Sequence, residues 1–224
     1  MSDHYSTSRV ALVALGFVLS SAIASAQRPG AQLSSKPVDS FDETANTVSD
    51  LLARLANNYQ VPVGLEAIAE STRSAKAPPI RVSVKSGAVR DVLDAVVTAE
   101  SDYAWQEVDG VINVAPRQHV DSLLDVVIGR FEVNEIGKNE ALEKLTSTPE
   151  VRSWLARTGL RERSFVGGVV GSSPQVSGAP KRISLNMANC SVRTILNQMM
   201  KISGSYEWVY FRYGPDDRLF SLAM

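Results

Sequence analysis

Hydrophobic positions along the chain change period several times, and each change marks an element. Val48, Leu51, Leu52, Leu55 and Tyr59 recur at i, i+3, i+4, i+7 and i+11, an apolar stripe along one face of a helix. Ser40 and Glu43 stand ahead of it as a capping box, so the helix is expected over about residues 41–58. A short strand is expected over about 60–68, then a polar Pro/Ser/Gly loop over 71–79. Residues 80–85 alternate, with Val82 and Val84 on one face and Arg81, Ser83 and Lys85 on the other. Helical period returns with Val89, Val92, Leu93, Val96 and Val97, the expected main helix. Two strands then close as a hairpin turned by Asp109-Gly110, a pair suited to a tight turn.

The same order of patterns comes back at a spacing of 103 residues. Val89-Arg90-x-Val92-Leu93-x-x-Val96-Val97 matches Val192-Arg193-x-Ile195-Leu196-x-x-Met199-Met200, and Tyr103-x-Trp105 matches Tyr206-x-Trp208. Val48-x-x-Leu51-Leu52-Ala53-Arg54 matches Val151-x-x-Trp154-Leu155-Ala156-Arg157, and Val63-Gly64 matches Val166-Gly167. Residues 81–84 match 182–185 at a spacing of 101, which implies two extra loop residues before the second main helix. One spacing shared by separate elements points to tandem duplication of a supersecondary unit. In the second copy a helix is expected over 149–158, with Thr148 as cap and Pro149 at its first position. Strands are expected over 163–170 and 182–187, with a loop over 171–180 between them. The final hairpin turns at Gly214-Pro215-Asp216-Asp217.

Between the copies, residues 123–134 read as a strand and 139–146 as a short helix, with no clear match in the first copy. The expected fold is therefore α+β, two tandem small α/β sandwich units. The expected boundaries are 40–117 for the first unit, 118–147 for a strand–helix connector and 148–224 for the second. Ahead of them, residues 1–9 are polar and end in Arg9, residues 10–19 are almost wholly apolar, and residues 20–26 end in Ala24-Ser25-Ala26. That is the layout of a signal peptide, expected to be removed to leave Gln27 at the N-terminus, with 27–39 as a flexible leader. The rival is a retained anchor, but residues 10–26 fall short of the roughly 20 apolar residues a spanning helix needs. No cysteine is near enough to carry a lipid.

Composition narrows the function. The 224 residues carry 23 Lys+Arg against 24 Asp+Glu. That balance gives no field for a nucleic-acid binder of the strongly basic kind. A single cysteine excludes an intramolecular disulfide, and the two histidines, His4 and His119, are too far apart in sequence for a paired-His site. The expected metal and cofactor sets are empty, and export away from cytosolic ATP and NAD fits that expectation.

The string in residues 81–115, R-V-x-V, a small loop, V-R-x-V-L-x-x-V, Y-x-W and D-G-x-I-x-V, resembles the STN module. That module stands at the N-termini of bacterial secretins and some TonB-dependent receptors. Val82, Val84, Val89, Val92, Leu93, Tyr103, Asp109, Gly110, Ile112 and Val114 carry the resemblance, and the second copy keeps Ile183, Leu185, Val192, Ile195, Leu196, Tyr206 and Trp208. The second hairpin departs, being longer and lacking the D-G turn. The resemblance implies an envelope protein-binding module. With the sequence ending at Met224, it is expected to act without a following pore or barrel. These are core and turn positions, so they speak to fold more than to function.

Candidate chemistry is sparse. Cys190, at the start of the second main helix, suits a small space-filler, since the first copy has Gly87 or Ala88 there; the rival is a thiolate favoured by the helix N-terminus. His119 beside Asp121 and Asp125 reads as a linker residue rather than a base, because no nucleophile neighbours it. Gly167-Gly168-x-x-Gly171 matches no phosphate-binding pattern. Arg152, Arg157, Arg161 and Arg163 form a basic run that suits a solvated face or an acidic partner. Tyr206, Trp208 and Tyr210 are expected on one strand face, as are Tyr103 and Trp105, and to pack in the cores. Tyr210, Phe211 and Tyr213 have no aromatic counterparts in the first copy and are the candidate partner-binding patch. The leading expectation is a non-enzymatic adaptor in the periplasm, with secretion as second choice, binding envelope proteins by a sheet edge or the aromatic hairpin. The alternatives are an accessory sensor of an outer-membrane complex and a thiol enzyme using Cys190 and His119.

Overall fold

Val63, Leu65 and Ala67 are buried and alternate with Gly64 and Glu66, and this alternation makes the strand at the centre of the molecule. A computed structural model describes residues 32–67, 78–118, 121–162, 181–212 and 219–224. Numbered in chain order, the central sheet runs β6 (Tyr103–Val108), β7 (Val111–Pro116), β3 (Val63–Ala67), β11 (Glu207–Arg212), β12 (Leu219–Ala223) and β9 (Arg161–Glu162). The pairs β6–β7 and β11–β12 are antiparallel; β7–β3, β3–β11 and β12–β9 are parallel. Asp109 and Gly110 turn β6 into β7 with φ of 54° and 71°. Two successive positive values are what a two-residue hairpin of this twist requires.

Each face of the sheet carries its own helical layer. On one face lie α1 (Val48–Tyr59), α2 (Val89–Ala99) and the antiparallel pairs β2 (Phe41–Ala45) with β4 (Ile80–Val84) and β1 (Pro37–Val38) with β5 (Gly87–Ala88). Leu51, Leu52, Leu55, Val92 and Leu93 bury here against Val63, Leu65, Ile112, Val114 and Val209. On the other face lie β8 (Val127–Ile136) paired with β10 (Ile183–Ser191), together with α3 (Lys138–Thr146), α4 (Pro149–Thr158) and α5 (Val192–Ser203). Ile195, Leu196, Met199 and Met200 bury against Val111, Trp208, Tyr210 and Phe220. Trp208 and Val209 are neighbours on β11 and enter opposite cores, because successive side chains of a strand point to opposite faces. The Trp208 ring lies over Gly64: a Cβ built there would come within 2.2 Å of the indole. Its Nε1–H donates to Asn197 Oδ1 at 2.8 Å. The class is α+β.

Several expectations change. Residues 41–45 are strand, not helix: Phe41 and Ala45 are buried, and Phe41 pairs with Val84. The helix starts at Val48, where Thr47 accepts from the Asp50 N–H at 3.0 Å as its cap. Ser40 and Glu43 form no capping box; the Glu43 carboxylate pairs with Arg54 instead. The two-residue shift ahead of the second main helix is also absent. Phe41 pairs with Val84 and Phe131 with Met187, while Pro37 pairs with Ala88 and Val127 with Ser191. Both sets place the second half 103 residues on, so Val82 answers to Leu185 rather than Ile183. The segment expected as a connector supplies β8, which holds against β10 the place that β1 and β2 hold against β4 and β5. The sheets of the two expected sandwiches meet at β3 and β11 and form one. The strand expected over 163–170 and the turn at 214–217 lie outside the described residues.

Candidate functional site

Of the expected aromatic patch, Tyr210 does not lie at the surface. Tyr210 is 2% exposed and packs in the core beneath α5, with its ring 6.0 Å from that of Phe220. Phe211 points to the opposite face and is half-buried against the first core. Tyr213 lies outside the described residues. Nor do Tyr206, Trp208 and Tyr210 share a face, since Tyr206 packs against the first core and the other two belong to the second. The sheet is covered on both sides, so an aromatic strand has no bare face to offer.

Cys190 sits at the end of β10, opposite Ile128, one residue before the Ser191 cap of α5. It is half-buried, and its Sγ contacts the Ala188 carbonyl at 3.2 Å. In the first half this position is Gly87, and a Cβ there would come within 2.4 Å of Asp91 Oδ2. Asp91 accepts from the Ala88 N–H at 2.6 Å. The second half has Thr194 at the matching place, capped by Ser191 Oγ, and leaves room for a side chain at 190. His119 and Gly167-Gly168-x-x-Gly171 lie outside the described residues, as does Arg163. Arg152, Arg157 and Arg161 are exposed on and after α4, and Arg157 pairs with Asp121 at 3.0 Å.

A polar cluster that the sequence did not announce lies where α5 begins. Arg193 is only 15% exposed and bonds Glu66 at 2.7 Å and Asp125 at 3.5 Å. Among the described residues neither its buried Nη1 nor the buried Tyr210 hydroxyl has a hydrogen-bond partner. Burial pushes that hydroxyl's pKa up and the Glu66 charge adds to it; the Leu123 backbone lies near it without hydrogen-bonding geometry. Beside the cluster opens a groove of about 420 Å³ lined by Asp121, Asp125, Glu150, Ser153, Trp154 and Arg157, among others. A hydrogen bond from Trp154 Nε1 holds the Asp121 carboxyl below its ordinary value, with Arg157 assisting. Arg193 was legible only as part of the repeated V-R-x-V/I-L string. Its counterpart Arg90 is exposed, so the repeat carried no sign of burial.

Among the described residues the six-stranded sheet ends at β6 and β9, and the two-stranded pairs leave outer edges as well. Arg117 N–H donates to Asp102 C=O at 2.7 Å, which sets the alternation along β6: Ala104, Gln106 and Val108 bond β7, and Trp105 and Glu107 turn their backbone groups outward. Among the described residues no strand pairs with that edge. The Glu107 side chain accepts from the Leu33 and Ser34 N–H groups at 2.8 and 3.0 Å. Burial works against its ionisation, but these bonds outweigh it and hold the carboxyl below its ordinary value. The strand end is thereby anchored, while among the described residues its backbone edge stays unpaired.

No group of three His, Cys, Asp or Glu able to hold a metal ion occurs among the described residues. No helix among them is long and apolar enough to cross a membrane. The chain matches no protein-family model, no curated protein and no solved structure.

Proposed function

We propose that this chain is a non-enzymatic, exported envelope protein that serves as a protein–protein adaptor, taking an extended segment of its partner onto the outer edge of β6. The observation that carries the reading is the edge itself, unpaired among the described residues, with the Trp105 and Glu107 backbone groups turned away from β7. An edge strand of this kind is a template for strand addition, in which main-chain hydrogen bonds supply affinity. The signal-like N-terminus and the STN-like string support the periplasm as its place of work. The recurrent pairing scheme supports a tandem duplication behind it.

The test compares Glu107→Pro with Glu107→Ala in the tagged chain, recovered from cells after crosslinking. Both lose the carboxylate that anchors Leu33 and Ser34; only proline also removes the outward N–H. The expected outcome is capture of one dominant envelope protein by the Ala variant and at least tenfold less by the Pro variant, with matching circular dichroism. Equal capture by the two overturns edge docking.

A further inference from the structure

The two faces of β6 differ in charge. Between Arg90 and Arg117 the chain carries six acidic side chains and no Lys or Arg. On the face that α2 covers, Asp94 accepts from Trp105 Nε1 at 2.9 Å, so its carboxylate lies against the edge strand. Asp94 is exposed, and Trp105 is half-buried beside it at the rim of the first core. Two residues on, the Glu107 carboxylate shares that face and accepts from the Leu33 and Ser34 N–H groups. Asp102 and Asp109 are exposed just before and just after the strand. On the opposite face Ala104, Gln106 and Val108 carry no charge, and α5 brings Lys201, whose Nζ donates to the Asp109 C=O at 3.0 Å. Arg117 stands at the start of the strand, its Nε donating to the Ser101 C=O at 2.8 Å.

A strand added outside β6 lies about 4.8 Å away and continues the pleat, so each of its side chains points to the same face as the β6 residue beside it. The outward backbone groups of Trp105 and Glu107 are the ones it bonds. Its residue beside Trp105 therefore meets the indole and the Asp94 carboxylate together. A Lys or Arg there gains an opposite charge across strands and an aromatic ring face. Its residue beside Glu107 meets a second carboxylate. Its residue beside Gln106 meets an uncharged face with Lys201 at one end, which disfavours a cation.

We infer that the segment taken by the β6 edge is basic at alternate positions: a partner strand with Lys or Arg on the side facing α2 and uncharged residues on the side facing α5. This rests on the reading of β6 as a docking edge and names the chemistry of its occupant. Charge pairs at an exposed edge are screened by salt, so binding weakens as ionic strength rises.

Three short rhodamine-labelled peptides test it by fluorescence anisotropy against the purified chain, at low and high salt. One alternates Lys and Thr, one has the same composition in Lys-Lys-Thr-Thr blocks, and one alternates Gln and Thr. The alternating Lys peptide is expected to bind about tenfold more tightly than either of the others at low salt. It is expected to lose most of that lead at high salt and to shift the amide resonances of Trp105 and Glu107. Asp94→Asn/Asp102→Asn/Asp109→Asn removes three charges, keeps an acceptor for Trp105 Nε1 and suits the positive φ at position 109. This variant is expected to keep its circular dichroism and to lose most of the lead. Equal binding of the alternating and blocked Lys peptides overturns the alternation. Equal binding of the Lys and Gln peptides, with the Trp105 and Glu107 amides shifting, overturns the basic strand and leaves the docking edge in place. A Lys peptide that shifts other amides instead overturns the placement. No binding by any of the three overturns the basic strand too, and the comparison of Glu107→Pro with Glu107→Ala then decides docking by itself.

Discussion

Glu207 shows how one residue registers the packing of the whole. It opens β11 beneath the first turn of α1, and burial pushes its carboxyl pKa from 4.5 up to about 7, with the nearby Asp50 charge adding to the shift. A raised folded-state pKa means that the native chain holds a proton the unfolded chain has released. Stability therefore falls as pH rises from 4.5 toward about 7 and levels off above that. The span corresponds to roughly 3 kcal/mol at most. Glu207→Gln is expected to flatten this window in urea titrations and to leave the variant more stable than the parent at pH 8. An unchanged slope between those pH values would contradict the burial. The residue scale is also where the sequence was least legible. Tyr210 and Arg193 sit in motifs whose spacing is plain, yet burial depends on what covers each face. Alternation says which residues share a face; it does not say that a second layer lies over it.

At the scale of elements the sequence was more legible, because period is a local property. The main helix, the strand from Ile80 and the Asp109-Gly110 hairpin fall where their patterns put them. The first helix did not. Phe41, Ala45 and Val48 fit a helical stripe as well as a strand followed by a helix, and the Ser40–Glu43 spacing imitates a cap. Thr47 decides the boundary by accepting from Asp50 N–H. Thr47→Ala is expected to lower stability by about 1 kcal/mol. Ser40→Ala, which removes no capping bond, is expected to leave it unchanged within about 0.5 kcal/mol. Chemical denaturation of the two variants separates the readings, and a larger loss from Ser40→Ala would contradict the observed start. The strand β8 was visible as a strand but not as holding the place of β1 and β2, because the likeness lies in pairing register rather than in residue identity.

At the scale of the molecule, the two halves share one sheet, and β11 feeds both cores through Trp208 and Val209. Neither layer can leave without exposing side chains that the other face needs in place. The described fold is therefore expected to unfold in a single transition, with tryptophan fluorescence and far-ultraviolet dichroism coincident. Two separated transitions would show that the halves are independent. Among the described residues the six-stranded sheet is layered on both faces and leaves its end strands for pairing, and that is the physical ground for placing docking at β6. The measurement that tests this most directly is site-specific photocrosslinking in cells from Gln106, an exposed side chain on that edge strand. The account predicts a crosslinked product from position 106, absent when Glu107→Pro is added and retained with Glu107→Ala. No product from position 106, or one indifferent to the proline, would contradict it.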